Sequence, residues 1–279
     1  MATGTGEAIV NEFCLDFREK SELESKGFVV RRDVFEAAEL RAIRNACEEL
    51  VTRIESEQRR TKHRLGSYMF EIQRRLDTII KWEPEHPELV QGIEPFAHLS
   101  EELHRWGLDS RLVEPCKYLV GENDLVLFTE KLNVKRARKG GKIILHQDFP
   151  YWSGLTPIAS RVATAMLFLD PATIENGCLE VVPGSHREGL QELRAVDGFG
   201  ALEMDPEKYD RSRLQPLEVE AGAVVFFGPF LVHRSLFNRS DADRRALLYS
   251  YQPAGQPHLR ELTRRTAQPS PTKSLQSDN

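Results

Sequence analysis

The sequence predicts an α+β fold in which helices cover one face of a β sandwich or jelly roll. Apolar residues recur with a helical period in the first third of the 279-residue chain. After Gly121, the chain changes to short β-type runs that are separated by turn residues. Many short strands at this spacing are typical of sandwiches and jelly rolls, and helices that precede a run of strands are typical of α+β domains.

The main helix of the first third is predicted over residues 36–60. Its apolar residues follow the i, i+3, i+4, i+7 spacing of one buried helical face, and charged residues occupy the other side. These apolar residues are Ala37, Leu40, Ile43, Ala46, Cys47, Leu50, Val51 and Ile54. A short helix that ends near Gly27 and a strand at 28–30 precede it. Further helices are predicted over 87–106 and 110–119.

The second half of the chain contains the predicted strands. They cover 125–135, 143–146, 162–169, 179–182, 215–219, 223–227 and 246–251. Turn signals lie between them at Gly140-Gly141, Asn176-Gly177, Pro183-Gly184 and Ala221-Gly222. Because these dipeptides favour reversals of the chain, they indicate sharp connections between short strands.

Three segments show neither pattern. Residues 61–85 have no clear period, and we expect a loop that covers a site. Residues 194–213 are polar and are predicted to be an excursion from the core. Residues 256–279 are rich in Pro, Ser, Thr and Arg, a composition typical of loose chain ends.

The chain length favours one catalytic domain with additions, since β-barrel and sandwich domains commonly reach ~200–250 residues. We expect a single domain over 1–261, with a helical layer at about 18–120 and a jelly-roll core at about 121–255. Residues 262–279 are predicted to form a flexible tail.

Composition excludes several classes of protein. The formal net charge is −5 and the sequence pI is about 6.0, whereas general nucleic-acid binding needs a basic face. The longest apolar stretch, at 223–232, is interrupted by Gly228 and Pro229 and is too short to span a bilayer. The cysteines form no CxxC pair and no signal peptide is evident, so we expect a cytoplasmic protein with free thiols.

His146 and Asp148 form the first part of a candidate metal site. They end an apolar run at 142–145, and residues i and i+2 of a strand point to the same face. His233 follows the predicted strand at 223–227 through a Gly-Pro turn. Two imidazoles and one carboxylate leave three positions of an iron ion open, which is the facial triad of Fe(II) oxygenases.

A bare His-x-Asp occurs often by chance, so the surrounding pattern matters. Arg244 lies eleven residues after His233 on the next predicted strand, and Arg245 follows it. A guanidinium is the natural bidentate partner of a carboxylate, such as the distal carboxylate of 2-oxoglutarate. The alternative for both arginines is an exposed pair on the protein surface. Lys131 and Lys135 alternate with Asn133 on one strand face, and we expect one of them, Lys131, to meet an acidic substrate or co-substrate; the alternative is a solvent-facing edge strand.

These motifs resemble the phytanoyl-CoA dioxygenase family over roughly residues 27–252. The segments that carry the resemblance are His-Gln-Asp-Phe at 146–149, Asn-Gly-Cys-Leu through Pro-Gly-Ser-His at 176–186, and His-Arg-Ser at 233–235, followed by Arg244. The run at 131–135 and the pattern from His146 to Trp152 look most like the branch that contains ectoine hydroxylase and free amino-acid hydroxylases.

The resemblance implies a double-stranded β-helix core, or jelly roll, with an N-terminal helical layer. It implies Fe(II) held by His146, Asp148 and His233. It places Arg244 on the distal carboxylate of 2-oxoglutarate, with Ser235 and Asn133 as further contacts. A slip of one residue would give that role to Arg245 instead.

The substrate side of the site is expected near the His-x-Asp motif. The resemblance places Trp152 against the substrate, and Tyr151 directly follows the ligands in sequence. Phe149 is a third candidate for the cavity wall. Phe226 and Phe227 are predicted to pack in the core.

These residues predict a dioxygenase that hydroxylates an aliphatic C–H bond of a small metabolite, using O₂ and releasing succinate and CO₂. Its partners are expected to be a small-molecule substrate and no nucleic acid or membrane, with the protein a monomer or homodimer. Desaturation, epimerisation and ring closure use the same site, whereas Asp148 argues against halogenation. A cupin-type metal or binding protein without 2-oxoglutarate is the other alternative, favoured if Arg244 points away from the metal ligands.

Overall fold

The computed structural model describes residues 12–57, 62–65, 68–196, 201–204 and 210–266. Its α-helices are α1 (Phe17–Lys26), α2 (Ala37–Ser56), α3 (Glu101–Trp106), α4 (Ser110–Val120), α5 (Phe149–Ser153) and α6 (Leu259–Thr266). Its strands are β1 (Phe28–Arg31), β2 (His63–Leu65), β3 (Tyr68–Gln73), β4 (Thr78–Trp82), β5 (Val90–Glu94), β6 (Leu125–Lys135), β7 (Ile143–His146), β8 (Ala163–Phe168), β9 (Leu179–Val181), β10 (Leu193–Val196), β11 (Ala201–Met204), β12 (Gln215–Leu217), β13 (Val224–Phe227), β14 (His233–Ser235) and β15 (Arg244–Pro253).

Local sequence sets the ends of the first helices. Asp16 and Glu19 form a capping box in which each side chain accepts a hydrogen bond from the backbone N–H of the other residue. Gly27 ends α1 in the left-handed conformation, with φ of 87°. Glu36 and Glu39 begin α2 with a second capping box. The predicted helices at these positions are therefore confirmed.

Two sheets form the β core. The larger sheet has nine strands in the order β1-β13-β8-β15-β6-β5-β4-β3-β2, and the smaller has four in the order β12-β9-β14-β7. One hydrophobic cluster joins them, with Met166 and Phe168 of β8 packed among Leu179 and Val181 of β9. The predicted strands of this region agree with the observed ones within two residues at each end. The α+β class with a jelly-roll core is confirmed.

The N-terminal helices cover the outer face of the nine-stranded sheet. Ile43 and Leu50 of α2 pack in one cluster with Leu167 of β8 and with Leu247 and Tyr249 of β15. This burial of apolar surface holds the helical layer on the sheet. None of the helices in the described segments combines the length and the apolar character needed to cross a bilayer.

The expected loop at 61–85 is wrong, because β2, β3 and β4 lie in this segment and extend the nine-stranded sheet. In β3, the usual alternation of buried apolar and exposed polar side chains is inverted. Glu71 and Gln73 are buried, whereas Ile72 is 59% exposed. Because polar residues lie on the buried face, the apolar residues of this segment do not recur with the regular spacing of a strand.

The expected helix at 87–106 is also wrong in its first half, where β5 pairs with β4 and β6. Gly92 lies inside this strand, and Pro95 follows its last residue, Glu94. Both residues oppose a helix, since glycine lowers helix propensity and proline directs the residue before it to extended backbone. The helix α3 begins only at Glu101.

The polar segment at 194–213 contains most of a small antiparallel hairpin of β10 and β11. The tail expected at 262–279 begins inside α6, which runs to Thr266. Leu259 of this helix packs with Phe128 and Trp152. The rest of that expectation, at 267–279, lies outside the described residues.

Candidate metal centre and the cavities beside it

The three predicted metal ligands meet at the end of the smaller sheet. His146 is the last residue of β7, Asp148 lies two residues further on, and His233 is the first residue of β14. In the pairing of these strands, His233 is directly opposite His146, and their ring centroids are 4.2 Å apart. One ligand atom from each of the three residues lies within 4.8 Å of the others. This spacing suits coordination of a single ion by two imidazoles and one carboxylate.

Backbone carbonyls orient both imidazoles. The Nδ1 atom of His146 is 2.7 Å from the carbonyl oxygen of Ile144, and that of His233 is 2.9 Å from the carbonyl oxygen of Leu231. A proton on Nδ1 donates in each pair, which leaves Nε2 as the metal-binding atom. The Nε2 atom of His146 is 3.6 Å from Oδ1 of Asp148.

The charges of the ligands already suit a cation. Burial and the neighbouring His146 lower the pKa of His233 to about 4, so its imidazole is neutral at pH 7. Burial opposes ionisation of Asp148, but the adjacent His146 imidazole and the positive charges around it, including that of Lys131, lower the pKa of its carboxyl group to about 2. Neutral imidazole and ionised carboxylate are the forms that bind metals.

Two buried polar residues hold the loops that carry these ligands. The Gln147 amide donates hydrogen bonds to the carbonyls of Gly189 and Phe230. Ser185 accepts a hydrogen bond of 2.9 Å from the backbone N–H of Val232, the residue before His233. Gln147 and Ser185 therefore help to hold His146 and His233 in position.

A small cavity separates the metal ligands from Arg244. Lys131, Asn133, Ser235 and Arg244 line it, together with His146, Asp148 and His233. Ser235 is 4% exposed, and its hydroxyl has no hydrogen-bond partner in the described part of the chain. All four predicted co-substrate contacts thus face the same space as the metal ligands.

Arg244 has an uncompensated charge. The residue is 1% exposed, its Nη2 donates to the carbonyl of Gly177 at 2.8 Å, and its Nε has no partner. No carboxylate of the described residues forms an ion pair with it. Burial lowers the pKa of Arg244 to about 10, which still leaves it protonated at pH 7. Because buried charges are usually paired, this guanidinium fits an anionic ligand in the small cavity.

Gly177 has two reasons to be glycine in this arrangement. Its φ is +75°, a conformation that other residues rarely adopt. A side chain at this position would also collide with the backbone of Leu236. The Asn-Gly-Cys-Leu segment therefore brings a backbone carbonyl to the Arg244 guanidinium.

Arg245 lies on the opposite face of β15. Its guanidinium donates to Asp170 at 2.8 Å and to Glu48 of α2 at 2.9 Å. It does not line the small cavity. Of the two arginines that the sequence left open, the structure places Arg244 beside the metal ligands.

A second, larger cavity of about 300 Å³ opens on the other side of the metal ligands. His146 and Asp148 lie in its wall with Tyr151 and Trp152. The edge of the Trp152 ring packs on Phe128, with the centroids 5.5 Å apart. Two of the three residues predicted to contact substrate thus face this cavity.

Phe149, the third, does not line either cavity and stacks instead on Phe230, with centroids 4.6 Å apart. The chain enters α5 directly after Asp148. Phe149 is three residues before Trp152 and packs against the same apolar cluster, but its ring turns to Phe230 instead of the cavity. Phe227, predicted as core, packs between the sheets, and its ring centroid is 5.2 Å from that of His233.

The sequence analysis did not identify the wall of the large cavity that β4 and β5 form. Lys81 and Glu94 line the large cavity from these strands, and Tyr68 lines it from β3. One signal was available, since Lys81 interrupts the apolar run Thr-Ile-Ile-Lys-Trp at 78–82. A charged residue within an apolar strand often faces a site.

Charges in this wall influence one another. The ammonium group of Lys131, together with burial, lowers the pKa of Lys81 to about 7. Burial opposes the charged form of Lys131, but the carboxylates of Glu94 and Asp148 raise its pKa above the ordinary value. The Nζ atom of Lys131 is 3.4 Å from Oε2 of Glu94.

Comparisons with known proteins agree with this architecture. Methylphosphonate hydroxylase from Gimesia maris is 33% identical over 143 residues, which are 51% of this chain and 51% of that protein. Peroxisomal phytanoyl-CoA dioxygenase from Bos taurus is 28% identical over 243 residues, 84% of this chain and 67% of that protein. The chain spans about half the length of the first of these relatives.

A solved structure has the same fold. The crystal structure of EctD from S. alaskensis with 2-oxoglutarate and 5-hydroxyectoine superposes with a TM-score of 0.67 at 22% identity, covering 88% of this chain and 79% of that one. The model of the phytanoyl-CoA dioxygenase (PhyH) family matches residues 23–246. Since that match spans most of the sequence, the chain belongs to the phytanoyl-CoA dioxygenase family.

Proposed function

We propose that the protein is an Fe(II)- and 2-oxoglutarate-dependent dioxygenase that hydroxylates an aliphatic C–H bond of a small molecule. The observation that carries this proposal is the buried, unpaired guanidinium of Arg244. It faces the same small cavity as His146, Asp148 and His233. A ligand that fits needs one end that binds a metal and another that carries a carboxylate, and 2-oxoglutarate has both.

His146, Asp148 and His233 would hold the iron, and Arg244 would bind the distal carboxylate of 2-oxoglutarate. The unpaired hydroxyl of Ser235 supplies a further donor to that carboxylate, and Asn133 lines the same space. When bound, Fe(II) and 2-oxoglutarate supply the O₂-dependent oxidation that ends in succinate and CO₂.

The protein side chains bind, orient and exclude water. The carbonyls of Ile144 and Leu231 keep each Nε2 directed at the metal position. Tyr151 and Trp152 wall the larger cavity next to His146 and place the substrate beside the metal. Their apolar surface favours a substrate with an aliphatic portion in that space.

The relatives support the reaction class. One bears the name of a hydroxylase and another that of a dioxygenase, and the solved neighbour contains 2-oxoglutarate together with a hydroxylated product. We also propose that the enzyme works in the cytoplasm, as a monomer or homodimer. The unpaired state of Cys14, Cys47, Cys116 and Cys178 agrees with a reducing compartment.

The test is an anaerobic titration of the protein with Fe(II) and then 2-oxoglutarate, followed by visible absorption. We expect a charge-transfer band from the chelated keto acid in the wild type. The H146A variant, in which one metal ligand is lost, should give no band although its far-UV circular dichroism is unchanged. Bound iron without a band in the wild type would contradict the use of 2-oxoglutarate and favour a cupin-type metal protein.

A further inference from the structure

We propose that the large cavity binds the anionic group of its substrate, a carboxylate or a phosphonate, at the ammonium group of Lys81. The proposal rests on the proposed function for the reaction at the neighbouring metal site. The anion-binding site itself follows from the charges, the strand register and the lining of the cavity.

The first step is the balance of charge. Lys81 and Lys131 both line the cavity, and the ammonium group of Lys131 is close enough to lower the pKa of Lys81. Two carboxylates act on both lysines, those of Glu94 and Asp148, and Asp148 is one of the three predicted metal ligands. Glu94 accepts a hydrogen bond of 3.2 Å from Thr129 and lies 3.4 Å from the Lys131 ammonium, so its oxygens are already engaged.

Lys81 has no ion-pair partner of its own among the described residues, and the neighbouring ammonium group of Lys131 disfavours its protonated form. No carboxylate of the described residues forms an ion pair with its ammonium group. Its Nζ lies 5.4 Å from the ring centroid of Tyr68, a cation–π contact that keeps it over the cavity. A half-buried ammonium without a counterion is costly, and a ligand anion would offset that cost.

The strand register directs Lys81 into the cavity. Lys81 is opposite Gly92 of β5, which is opposite Asn133 of β6. Residues directly opposite in neighbouring strands share a face, so Lys81 lies on the face that carries Asn133 and Lys131. An added side chain at Gly92 would contact Asn133 and Lys81, so the glycine keeps the space between them open.

The rest of the lining defines the body of the substrate. Phe70, Ile79, Ile93, Leu155, Leu248 and Leu259 contribute apolar walls. A volume of about 300 Å³ lies at the small end of ligand pockets. The cavity thus fits a small aliphatic anion. A cationic ligand would meet two lysines, and the two carboxylates of the lining are already engaged, Glu94 with Lys131 and Asp148 as a predicted metal ligand.

The experiment measures the binding of four probes of similar size by isothermal titration calorimetry. They are hexanoate, pentylphosphonate, hexanamide and hexylammonium. The full chain is used twice, once metal-free and once loaded anaerobically with Fe(II) and 2-oxoglutarate. We expect at least one anion to bind about tenfold or more tightly than hexanamide, the size of effect that a partly buried ion pair provides. Whichever of the two anions binds more tightly shows whether the site prefers a carboxylate or a phosphonate.

Variants assign the effect to a residue. K81M should lose the preference for the anion, and K81R, which keeps the charge, should retain most of it. K139M removes an exposed lysine and serves as the matched control, with unchanged binding. R244M is measured in the metal-free protein only and reports any binding of the anions in the small cavity, which Arg244 lines.

Three results would overturn the proposal. They are tighter binding of hexylammonium or hexanamide than of either anion, no anion binding up to about 10 mM, and loss of anion binding in R244M but not in K81M. Because the metal-free titration needs neither iron nor 2-oxoglutarate, its outcome is independent of the proposed reaction. If anion binding depended on Lys81 but the titration with Fe(II) and 2-oxoglutarate gave no charge-transfer band, the anion site would be supported and the proposed function contradicted.

Discussion

The two faces of β15 use neighbouring arginines in opposite ways. On the outer face, Arg245 is held between Asp170 and Glu48 at 2.8 and 2.9 Å, and it links the sheet to α2. On the inner face, Arg244 is more deeply buried, yet within the described segments its one hydrogen bond goes to the carbonyl of Gly177. The same residue type is thus paired where it is more accessible and unpaired where it is buried.

This difference separates a structural charge from a binding charge. An ion pair at the outer face contributes to folding, since both partners belong to the protein. A buried charge without a partner costs free energy of folding. Such a cost is recovered when a ligand anion binds, so the inner face of β15 is organised for a complex rather than for the folded chain alone.

The largest expected effect comes from R244M. We expect the affinity for 2-oxoglutarate to fall about 100-fold or more, because a charge-assisted bidentate contact in a buried site contributes about 3 kcal/mol. The dissociation constant is measured anaerobically, in the presence of Fe(II), from the charge-transfer band.

The folding stability of R244M is the internal control for that measurement. Removal of the unpaired charge stabilises the chain, whereas the carbonyl of Gly177 loses its partner, so we expect a net change within about 1 kcal/mol. A large loss of stability, with little change in the affinity for 2-oxoglutarate, would contradict the assignment of Arg244 as a binding charge.

The reverse result is expected for R245M. Asp170 and Glu48 each lose a hydrogen-bonded partner but keep Arg44 and Arg136, so the free energy of unfolding should fall by about 2 kcal/mol. The measurement is urea unfolding, with a lower midpoint at an unchanged slope. The affinity for 2-oxoglutarate should stay within twofold of the wild type. A large loss of that affinity would remove the distinction between the two faces.

Most of the metal centre was predictable because it depends on short-range rules. His146 and Asp148 are two residues apart at the end of a strand, which places them side by side. His233 and Arg244 were proposed from their places on or after later predicted strands, and the family resemblance implied the same two residues. The choice between Arg244 and Arg245 needed the structure, because a shift of one residue in a strand exchanges the two faces.

The wall of the large cavity was not predictable in the same way. Lys81 and Glu94 reach it because β4 pairs with β5 and β5 pairs with β6, and the second of these pairings joins residues about 40 positions apart in the chain. Periodicity also failed there, because β3 buries Glu71 and Gln73 and exposes Ile72. Phe149 was misplaced because its ring stacks on Phe230, a partner about 80 positions later that the local sequence does not indicate.

The smallest expected effect, that of R244K, separates the contribution of charge from that of shape at the inner face. Lysine keeps the positive charge but cannot donate two parallel hydrogen bonds to one carboxylate, so we expect the affinity for 2-oxoglutarate to fall about tenfold. The same anaerobic titration measures it, beside the R245K variant, whose affinity should not change. If R244K bound 2-oxoglutarate as weakly as R244M, the geometry of the guanidinium would decide binding and its charge would contribute little.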